Sequence, residues 1–297
     1  MSKLGKLSKP YRVTNGGKFR LSGFDPADTG PFGAKGKDAA DEVLGEATKR
    51  IGKLQQKLYA EDRWAVLLVF QGMDTAGKDG TINHVLGDVH PQGTVITSFK
   101  APTSEEIEHD FLWRAAKALP ERGHLAAYNR SYYEEMLIVR LHPEILAGEK
   151  LPERVVTRHI WKERCQDITA FERHLVRSGV LVCKFFLHIS REEQRQRLLA
   201  RLDDPEKSWK FQSGDVKERA RWDDYQGAHQ AAIRGTATRD APWYVVPADA
   251  KWFARVIVAS AVVEALASLD PAFPLPDAKR KRELTAMRKT LEAQGRE

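Results

Sequence analysis

Five short apolar segments recur along the chain, and segments with helical spacing separate them. In the helical segments apolar residues recur every three or four positions, whereas the short segments show no such period. Short apolar runs of this kind are typical of strands that are buried on both faces of a parallel sheet. The predicted strands are residues 64–70, 94–99, 123–129, 180–189 and 243–247. Their alternation with helices predicts an α/β fold with a doubly wound, five-stranded parallel sheet.

The regions that flank this alternation have a different composition. Residues 1–36 are rich in Gly, Lys and Pro, and their lack of periodicity predicts an extended N-terminal arm lying on the body. Residues 37–269 then form the α/β domain, from a first helix over 37–60 to a final core helix. Residues 270–297 form a charged tail with a basic run at 279–282.

The first predicted strand leads directly into the pattern Gly72-x-x-x-x-Gly77-Lys78, a P-loop. Glycines let successive backbone amides point inward, the following helix adds its positive end, and the lysine reaches phosphate oxygens. A Gly-rich turn without a ligand is the alternative, but the buried strand before the loop favours phosphate binding. The predicted phosphate contacts in the loop are Gly72, Thr75, Ala76, Gly77, Lys78, Asp79 and Gly80.

The residue after Lys78 departs from the usual pattern. A Ser or Thr normally stands there and holds magnesium through its hydroxyl, whereas this chain has Asp79. A second carboxylate, Asp74, lies inside the loop, where it would repel phosphate unless a cation separates them. Because hard divalent cations prefer carboxylate oxygens, we predict that Asp74 binds Mg²⁺, for which Mn²⁺ could substitute.

Polar residues after the third predicted strand extend this site. Asn129 stands where P-loop proteins present a carboxylate to the metal, so its own contact would be weaker or through water. Arg130 could hold phosphate through its bidentate fork. Glu134 or Glu135 could supply the missing negative charge, although solvation at the surface is the default for such a pair.

Two cations after the second predicted strand are also predicted to contact phosphate or nucleotide. They are Lys100, directly after the strand, and Arg114, at the edge of the apolar stripe of the next helix. The sequence leaves open whether Arg114 points into a cleft or reaches solvent.

Residues 191–221, between the fourth and fifth strands, are the most basic stretch of the chain. Arg191, Gln194, Arg197 and Arg201 recur at spacings of three and four, which places them on one helical face. A break at 203–205 and a second helix follow. This arrangement predicts a lid that closes over phosphates and excludes water, with a solvated charged face as the alternative.

The 297 residues carry a formal net charge of +7, which favours polyanionic partners. Two cysteines are too few for a disulfide scaffold or a zinc site, and the nine histidines show neither metal spacing nor a triad pattern. No apolar run reaches membrane-spanning length, and no signal peptide is recognisable. We therefore expect a cytoplasmic protein without a membrane partner.

Six motifs together resemble the polyphosphate kinase 2 family of polyphosphate:nucleotide phosphotransferases. Jointly they are far more specific than the loop alone, and they follow one another over most of the chain. They are GMDTAGKDG at 72–80, FKAPT at 99–103, DFLWR at 110–114, NRSYYE at 129–134, SWKF at 208–211 and APWYVVPAD at 241–249.

The resemblance implies a P-loop kinase-like domain and a reversible, Mg²⁺-dependent transfer of the terminal phosphoryl group of inorganic polyphosphate to AMP and ADP. Guanine nucleotides are further expected acceptors, and the family implies a homo-oligomer. Asp74, Lys78 and Arg130 match catalytic positions of the family pattern. Asn129 and Glu134 resemble the subgroup that accepts both nucleoside mono- and diphosphates. The basic lid positions of the family are matched by Arg197, Arg201 and Lys210.

Three other functions share part of these features. An ATP-dependent nucleoside monophosphate kinase has the same loop, lid and acceptor. A nucleic-acid-binding P-loop ATPase would use the basic face, but the chain lacks the interleaved aromatic and basic residues of strand-binding platforms, and we expect no nucleic-acid partner. A non-catalytic nucleotide sensor is the third, because Asn129 weakens the metal shell.

Overall fold

The computed structural model describes residues 5–211 and 213–294, which contain one mixed sheet. Its strands are β1 (Arg12–Val13), β2 (Ala65–Gly72), β3 (Thr94–Ser98), β4 (Leu125–Asn129), β5 (Val180–His188) and β6 (Trp243–Pro247). Their order is β1-β6-β5-β2-β4-β3, in which β1 is antiparallel to β6 and all other neighbours are parallel. The α/β fold class and the five predicted strands are confirmed. The prediction did not include β1, because two residues are too short to show a strand period.

Helices cover both faces of the sheet. α2, α3 and α12 pack on one face, and α8 and α11 pack on the other. In the described residues the helices are α1 (Gly5–Ser8), α2 (Lys37–Glu61), α3 (Lys78–Val85), α4 (Ser104–Ile107), α5 (Trp113–Lys117), α6 (Ile138–Leu141), α7 (Pro143–Gly148), α8 (Ile160–Arg177), α9 (Arg191–Asp203), α10 (Ser213–Ala220), α11 (Trp222–Thr236), α12 (Lys251–Ser268) and α13 (Ala278–Gln294).

The centre of the sheet determines where a site can form. The β2 residues 65–70 are fully buried, as expected for a strand covered by helices on both faces. Strand order reverses at β2, because β4 and β3 lie on one side of it and β5 and β6 on the other. In open α/β sheets such a reversal leaves a crevice at the carboxyl ends of the strands, where ligands bind.

One helix differs from its prediction. The apolar stripe after the second predicted strand indicated a single helix, but this segment is divided into α4 and α5, and between them the Asp110 carboxylate accepts a hydrogen bond from the Leu112 N–H (2.9 Å). The change does not affect the order of the strands.

The arm and the tail differ in their packing. The arm buries Tyr11, Phe19 and Leu21 against the body, whereas α13 in the tail buries none of its described side chains. Among the described residues, no helix combines the length and apolar character needed to span a membrane.

Candidate active site

The P-loop begins where β2 ends, and its backbone adopts conformations that favour glycine. Gly72 has φ +154°, and a Cβ there would lie 2.8 Å from the Leu187 carbonyl oxygen. Gly77 has φ +100°, and Thr75 has φ +64°. A β-branched residue in the left-handed region is strained, and such strain concentrates at functional sites. The buried hydroxyl of Thr75 also has no hydrogen-bond partner among the described residues.

Lys78 is the first residue of α3 and is only 9% exposed. Its Nζ donates to the carbonyl oxygens of Gly72 (2.7 Å) and Met73 (3.3 Å). Burial, and secondarily Arg130, lower the pKa of Lys78 to about 8, although nearby carboxylates oppose the shift. A phosphate group beside Nζ would therefore stabilise its ammonium form.

Arg130 links the loop to the segment after β4. Its guanidinium donates to Asp74 Oδ1 (2.7 Å) and to Glu134 Oε2 (3.0 Å). Glu134 and Asp74 together hold the pKa of Arg130 above its usual value, against the effect of burial. Arg130 has φ +63°, and its N–H donates to the Phe70 carbonyl oxygen (3.0 Å), which fixes this turn against the end of β2.

The structure separates the two glutamates that the sequence left as alternatives. Both lie in the 3-10 turn Tyr132–Met136, but only Glu134 faces the loop. Glu135 is buried 3.2 Å from Arg164 Nε. Burial raises the pKa of Glu135 to about 8, although Arg164 opposes the shift. Of the pair, Glu134 is therefore the residue that can act at the loop.

Asn129 lies beside Phe70 in the register of β4 and β2. Its side-chain amide donates a hydrogen bond to the Asp79 carboxylate. The two residues that depart from the usual P-loop pattern thus contact each other.

One face of α9 packs on the P-loop. The Gln194 side chain donates to the Asp74 carbonyl oxygen (3.2 Å). Arg197 donates to the carbonyl oxygens of Thr75 (3.1 Å), Ala76 (3.3 Å), Ala248 (2.6 Å) and Asp249 (2.8 Å), and to Glu193 Oε1 (2.7 Å). Arg197 is buried, so in this conformation it fixes the loop to the segment after β6 rather than presenting an open cation.

Two cavities open at the loop, and both contain Asp74, Arg130 and Arg201. The loop cavity, of about 560 Å³, is otherwise lined by residues 75–81, Asn129, Arg197, Ala200, Asp204, Lys207, Lys251, Ala254 and Arg255. The turn cavity, of about 360 Å³, is otherwise lined by Gly72, Met73, Glu134, Leu137, Ile138, Gly214, Glu218, Tyr225 and His229. The loop cavity is rich in cations, whereas the turn cavity combines carboxylates with aromatic and aliphatic side chains.

Sequence reasoning missed three cations of the loop cavity, Lys207, Lys251 and Arg255. Lys251 and Arg255 are four residues apart and therefore share one face of α12. Burial lowers the pKa of both side chains on α12. Their spacing was a usable signal, but the apolar character of the rest of α12 indicated only a core helix.

Four predicted site residues are not among the residues that line the two cavities: Lys100, Arg114, Arg191 and Lys210. Arg114 donates to the Lys100 carbonyl oxygen (2.8 Å) and lies over the Phe99 ring, 5.3 Å from its centroid. Its side chain is 13% exposed and thus lies on the residues that end β3 rather than in solvent. Arg191 lines a different cavity, beneath the N-terminal arm. Lys210 ends the 3-10 turn Ser208–Lys210, and its side chain lies outside the described residues.

Asp74 and Glu134 are the carboxylates that could hold a metal between the cavities. They flank the same guanidinium, at 2.7 and 3.0 Å from its two terminal nitrogens. Within residues 5–211 and 213–294, no group of three or more His, Cys, Asp or Glu side chains could hold a metal. Mg²⁺ is commonly bound by one or two carboxylates and completes its shell with water and substrate phosphates. The donors present therefore fit Mg²⁺ that arrives with a phosphorylated substrate.

Comparisons with known proteins agree with this geometry. Residues 34–274 match the family model described as polyphosphate kinase 2. An ADP-polyphosphate phosphotransferase from Rhodopseudomonas palustris is 46% identical over 96% of this chain and 98% of its own length. An AMP/ADP-polyphosphate phosphotransferase from Meiothermus ruber is 46% identical over 91% of this chain and 96% of its own. The crystal structure of polyphosphate kinase 2 from Arthrobacter aurescens TC1 superimposes with a TM-score of 0.84 at 39% identity, covering 95% of this chain and 96% of the other. This chain belongs to the polyphosphate kinase 2 family.

Proposed function

We propose that this protein transfers the terminal phosphoryl group of inorganic polyphosphate to nucleoside mono- and diphosphates. The observation that carries the proposal is the meeting of the loop cavity and the turn cavity at Asp74 and Arg130. A phosphoryl group at that point is accessible from a donor in one cavity and an acceptor in the other. Membership of the polyphosphate kinase 2 family supports the same reaction.

The loop cavity suits the donor. A polyphosphate chain carries about one negative charge per phosphate and offers no base or sugar to recognise, so a cation-lined channel binds it better than a shaped pocket. Lys251 and Arg255 extend the cationic wall from the P-loop along one side of α12, and Lys207 adds a charge from the lid. The described cations that line this cavity are Lys78, Arg130, Arg197, Arg201, Lys207, Lys251 and Arg255.

The turn cavity suits the acceptor. Its walls include Leu137, Ile138 and the ring of Tyr225, which can pack against the apolar parts of a nucleotide, while Arg130 can hold the acceptor phosphate. Glu218 lies on the lid helix α10, where it accepts a hydrogen bond from Tyr225 Oη (2.5 Å) and lies 3.0 Å from His142 Nε2. These contacts join the lid to the wall of the acceptor cavity.

The reaction needs no protein base. The nucleophile is a phosphate oxygen of the acceptor, which is already ionised because the second pKa of a phosphate is about 6. Catalysis then consists of in-line alignment and stabilisation of the charge on the transferred group. Lys78 and Arg130 would stabilise that charge, and Arg197 would keep the loop in its shape.

We propose Mg²⁺, replaceable by Mn²⁺, as the cofactor, with Asp74 as its protein ligand and Glu134 beside it. When bound, the ion would neutralise the negative charge that develops on the transferred phosphoryl group. The loop hydroxyl of Ser or Thr that usually holds this ion is replaced here by Asp79, whose carboxylate accepts a hydrogen bond from Asn129. Asp74 lines both cavities, whereas Asp79 lines only the loop cavity, so Asp74 is the loop carboxylate better placed for a metal between donor and acceptor.

The experiment that tests the function omits ATP. Purified protein would be incubated with polyphosphate, Mg²⁺ and AMP, ADP, GMP or GDP in turn, and the products separated by ion-exchange chromatography. We expect ADP and ATP from the adenine acceptors, and the guanine reactions test base selectivity. Phosphoryl transfer with ATP but not with polyphosphate would instead indicate a nucleoside monophosphate kinase. ATP hydrolysis that is stimulated by DNA or RNA would indicate a nucleic-acid-dependent ATPase.

Acceptor range, oligomeric state and location remain parts of the proposal. The two 46% identical relatives carry names that differ in the acceptor, one ADP and the other AMP/ADP, so identity does not choose between them. A homo-oligomer is expected from the resemblance, and light scattering on the purified protein tests it. Fractionation of cells that express the protein tests the expected cytoplasmic location.

A further inference from the structure

A histidine joins the lid helix α10 to the wall of the turn cavity. His142 lies between α6 and α7, shortly after Leu137 and Ile138, which line that cavity. Its Nε2 is 3.0 Å from Glu218 Oε2 on α10, and its Nδ1 is 3.0 Å from Glu144 Oε1 on α7. The ring therefore bridges one carboxylate of the lid and one carboxylate of α7.

Both ring nitrogens of His142 can bond to these partners in only one protonation state. A carboxylate oxygen accepts hydrogen bonds and cannot donate, so each nitrogen needs a proton of its own. A neutral imidazole carries one such proton, whereas an imidazolium carries two. Although burial lowers the pKa of His142, its contacts with Glu218 and Glu144 together raise that pKa above its usual value. The geometry therefore matches an imidazolium that is paired with both carboxylates.

Arg221, directly before α11, gives the ring a second arrangement. Its Nη1 lies 3.4 Å from His142 Nε2 and can donate only to a lone pair on that nitrogen. An imidazolium has no such lone pair, so its Nε2 proton goes to Glu218. Once the ring is neutral, Arg221 favours the lone pair on Nε2, and the bond to Glu218 is lost. Within the described residues, the charged groups that contact the ring are Glu144, Glu218 and Arg221.

Glu218 connects this contact to the turn cavity. The same Oε2 that faces His142 accepts a hydrogen bond from Tyr225 Oη (2.5 Å). Glu218 and Tyr225 both line the cavity, as does Gly214 near the start of α10. The pairing of His142 with Glu218 therefore fixes the lid helix against this cavity. The His142 side chain is 19% exposed, so its ring can exchange protons with solvent.

We propose that His142 is a positioning residue, which holds the lid helix α10 against the turn cavity while its ring is protonated. The effect on the acceptor rests on the proposed function, which places the acceptor nucleotide in this cavity. Loss of the proton releases Glu218, so the lid helix leaves the cavity wall more often and the acceptor binds less tightly. Conversely, an acceptor that binds under the closed lid favours uptake of a proton by His142.

The direction of the pH dependence follows from the contacts of the ring. Because the closed lid raises the pKa of His142, the contribution of the ring to lid closure is complete below the usual value of 6.5. That contribution is lost as pH rises through the raised value. Lid closure and acceptor affinity should therefore both decrease as the solution becomes more alkaline.

Cleavage of the lid by trypsin tests the contact without any substrate. Lys217 and Arg219 lie in α10, and trypsin cuts after them only when the helix opens locally. At pH 6 the wild type should be cut there about threefold more slowly than His142→Gln, whose side chain is neutral at all pH values. At pH 8.5 the two proteins should be cut at similar rates. Each comparison is made at one pH, so the pH dependence of trypsin itself cancels.

The two carboxylates provide a matched pair of variants. Glu218→Gln removes the charge on the lid and should abolish the protection at pH 6. Glu144→Gln removes the other partner of the ring, which lies on α7 and not on the lid. It should keep the protection at pH 6 and shift its loss to lower pH, because the imidazolium has one partner fewer. Circular dichroism of the variants separates local opening from loss of fold.

The affinity for ADP in the absence of polyphosphate tests the link to the acceptor. Isothermal titration should show ADP bound about threefold more tightly by the wild type than by His142→Gln at pH 6, and equally tightly at pH 8.5. Comparing the two proteins at each pH cancels the ionisation of ADP itself.

Three results would overturn the proposal. One is the same pH profile of lid cleavage in the wild type and in His142→Gln, and another is equal loss of protection in Glu144→Gln and Glu218→Gln. The third is pH-dependent protection of the lid with no change in ADP affinity, since the lid contact would then not serve the acceptor. Failure of the proposed phosphoryl transfer would leave the cleavage results unchanged, because that assay contains neither nucleotide nor polyphosphate.

Discussion

Among the described residues two lysines are buried, and their charges are balanced in different ways. Lys184, in the middle of β5, donates to Glu172 Oε2 (2.5 Å), Tyr133 Oη (3.1 Å) and the Thr236 carbonyl oxygen (2.9 Å). Lys78, at the end of the P-loop, donates only to backbone carbonyl oxygens and makes no ion pair within the described residues. Burial lowers the pKa of both.

The difference indicates what each charge is for. Lys184 is fully buried, all three of its N–H donors are used, and its counter-charge is part of the protein. Lys78 borders a cavity and has no carboxylate partner among the described residues, so the substrate can supply its counter-charge. Burial and a shifted pKa are common to both, and only the missing partner beside a cavity distinguishes the functional lysine from the structural one.

Replacing Lys78 should have the largest effect on activity. Lys78→Met should lower kcat by roughly 100- to 1000-fold, the range for removing one donor that stabilises developing charge. The melting temperature should change little, because Met removes a buried ammonium that disfavours folding, and this gain offsets the loss of the hydrogen bonds to Gly72 and Met73. Steady-state kinetics with polyphosphate and ADP, with thermal unfolding in parallel, measure both. Retained activity would remove Lys78 from the mechanism.

Asp74→Asn should also lower activity, by roughly 100-fold, and should raise the Mg²⁺ concentration needed for half-maximal rate. The amide keeps the size of the side chain and its contact with Arg130 but loses the charge that would hold the metal. Asp204→Asn is a matched control, because Asp204 lines the same cavity but pairs with Lys207. Equal Mg²⁺ dependence in the two variants would contradict the metal role of Asp74.

Lys184 should show the opposite behaviour to Lys78. Lys184→Met leaves the Glu172 carboxylate buried without its cation, which typically costs about 3–5 kcal/mol of unfolding free energy. Removing both charges in Lys184→Met with Glu172→Gln should recover much of that loss, because no unpaired charge remains. Urea unfolding measures the stability. The kcat of the folded fraction should stay near wild type, and a large loss of kcat in the double variant would give this network a catalytic role.

Arg255→Ala should have a smaller, salt-dependent effect. The side chain lines the loop cavity on α12 and is not tied to loop carbonyls as Arg197 is, so its loss should raise the KM for polyphosphate by several-fold and leave kcat intact. The dependence of KM on salt concentration should become shallower, since one cation fewer contacts the polyphosphate. Arg197→Ala should instead lower kcat, because the loop loses its support. If the KM for polyphosphate depends on salt in the same way in Arg255→Ala and in the wild type, polyphosphate does not contact Arg255.

The sequence predicted the sheet better than the ion pairs. The five main strands were predictable because each is a short apolar run between helical segments. Helical spacing predicted one face of α9 from Arg191, Gln194, Arg197 and Arg201. Gln194 and Arg197 contact the P-loop and Arg201 lines both cavities, whereas Arg191 lines a different cavity. The sequence could not predict that the Arg197 guanidinium donates hydrogen bonds to four carbonyl oxygens, because those oxygens belong to loops distant from Arg197 in sequence. The buried ion pair of Lys184 could not be predicted for a related reason. Lys184 lies in an apolar strand, and its partner Glu172 lies on a different element.

The pH dependence of activity gives the smallest effect but tests the comparison of the two lysines most directly. The pKa of Lys78 is about 8 in the folded protein, below its usual value near 10.5. Its ammonium is therefore lost as pH rises through about 8, and kcat/KM for polyphosphate should fall there. Because the unfolded chain binds the extra proton between pH 8 and 10.5, the contribution of Lys78 to stability rises with pH over the same window.

Bound phosphate should raise the pKa of Lys78, so kcat at saturating polyphosphate should stay flat to higher pH than kcat/KM. Lys78→Arg keeps its charge at all these pH values and should abolish the decline in kcat/KM, whatever its absolute rate. Lys184 cannot produce such a profile, because its charge is paired inside the protein and no substrate reaches it. A decline near pH 8 that persists in Lys78→Arg would therefore assign the titration to another group and would leave the two lysines indistinguishable by this measurement.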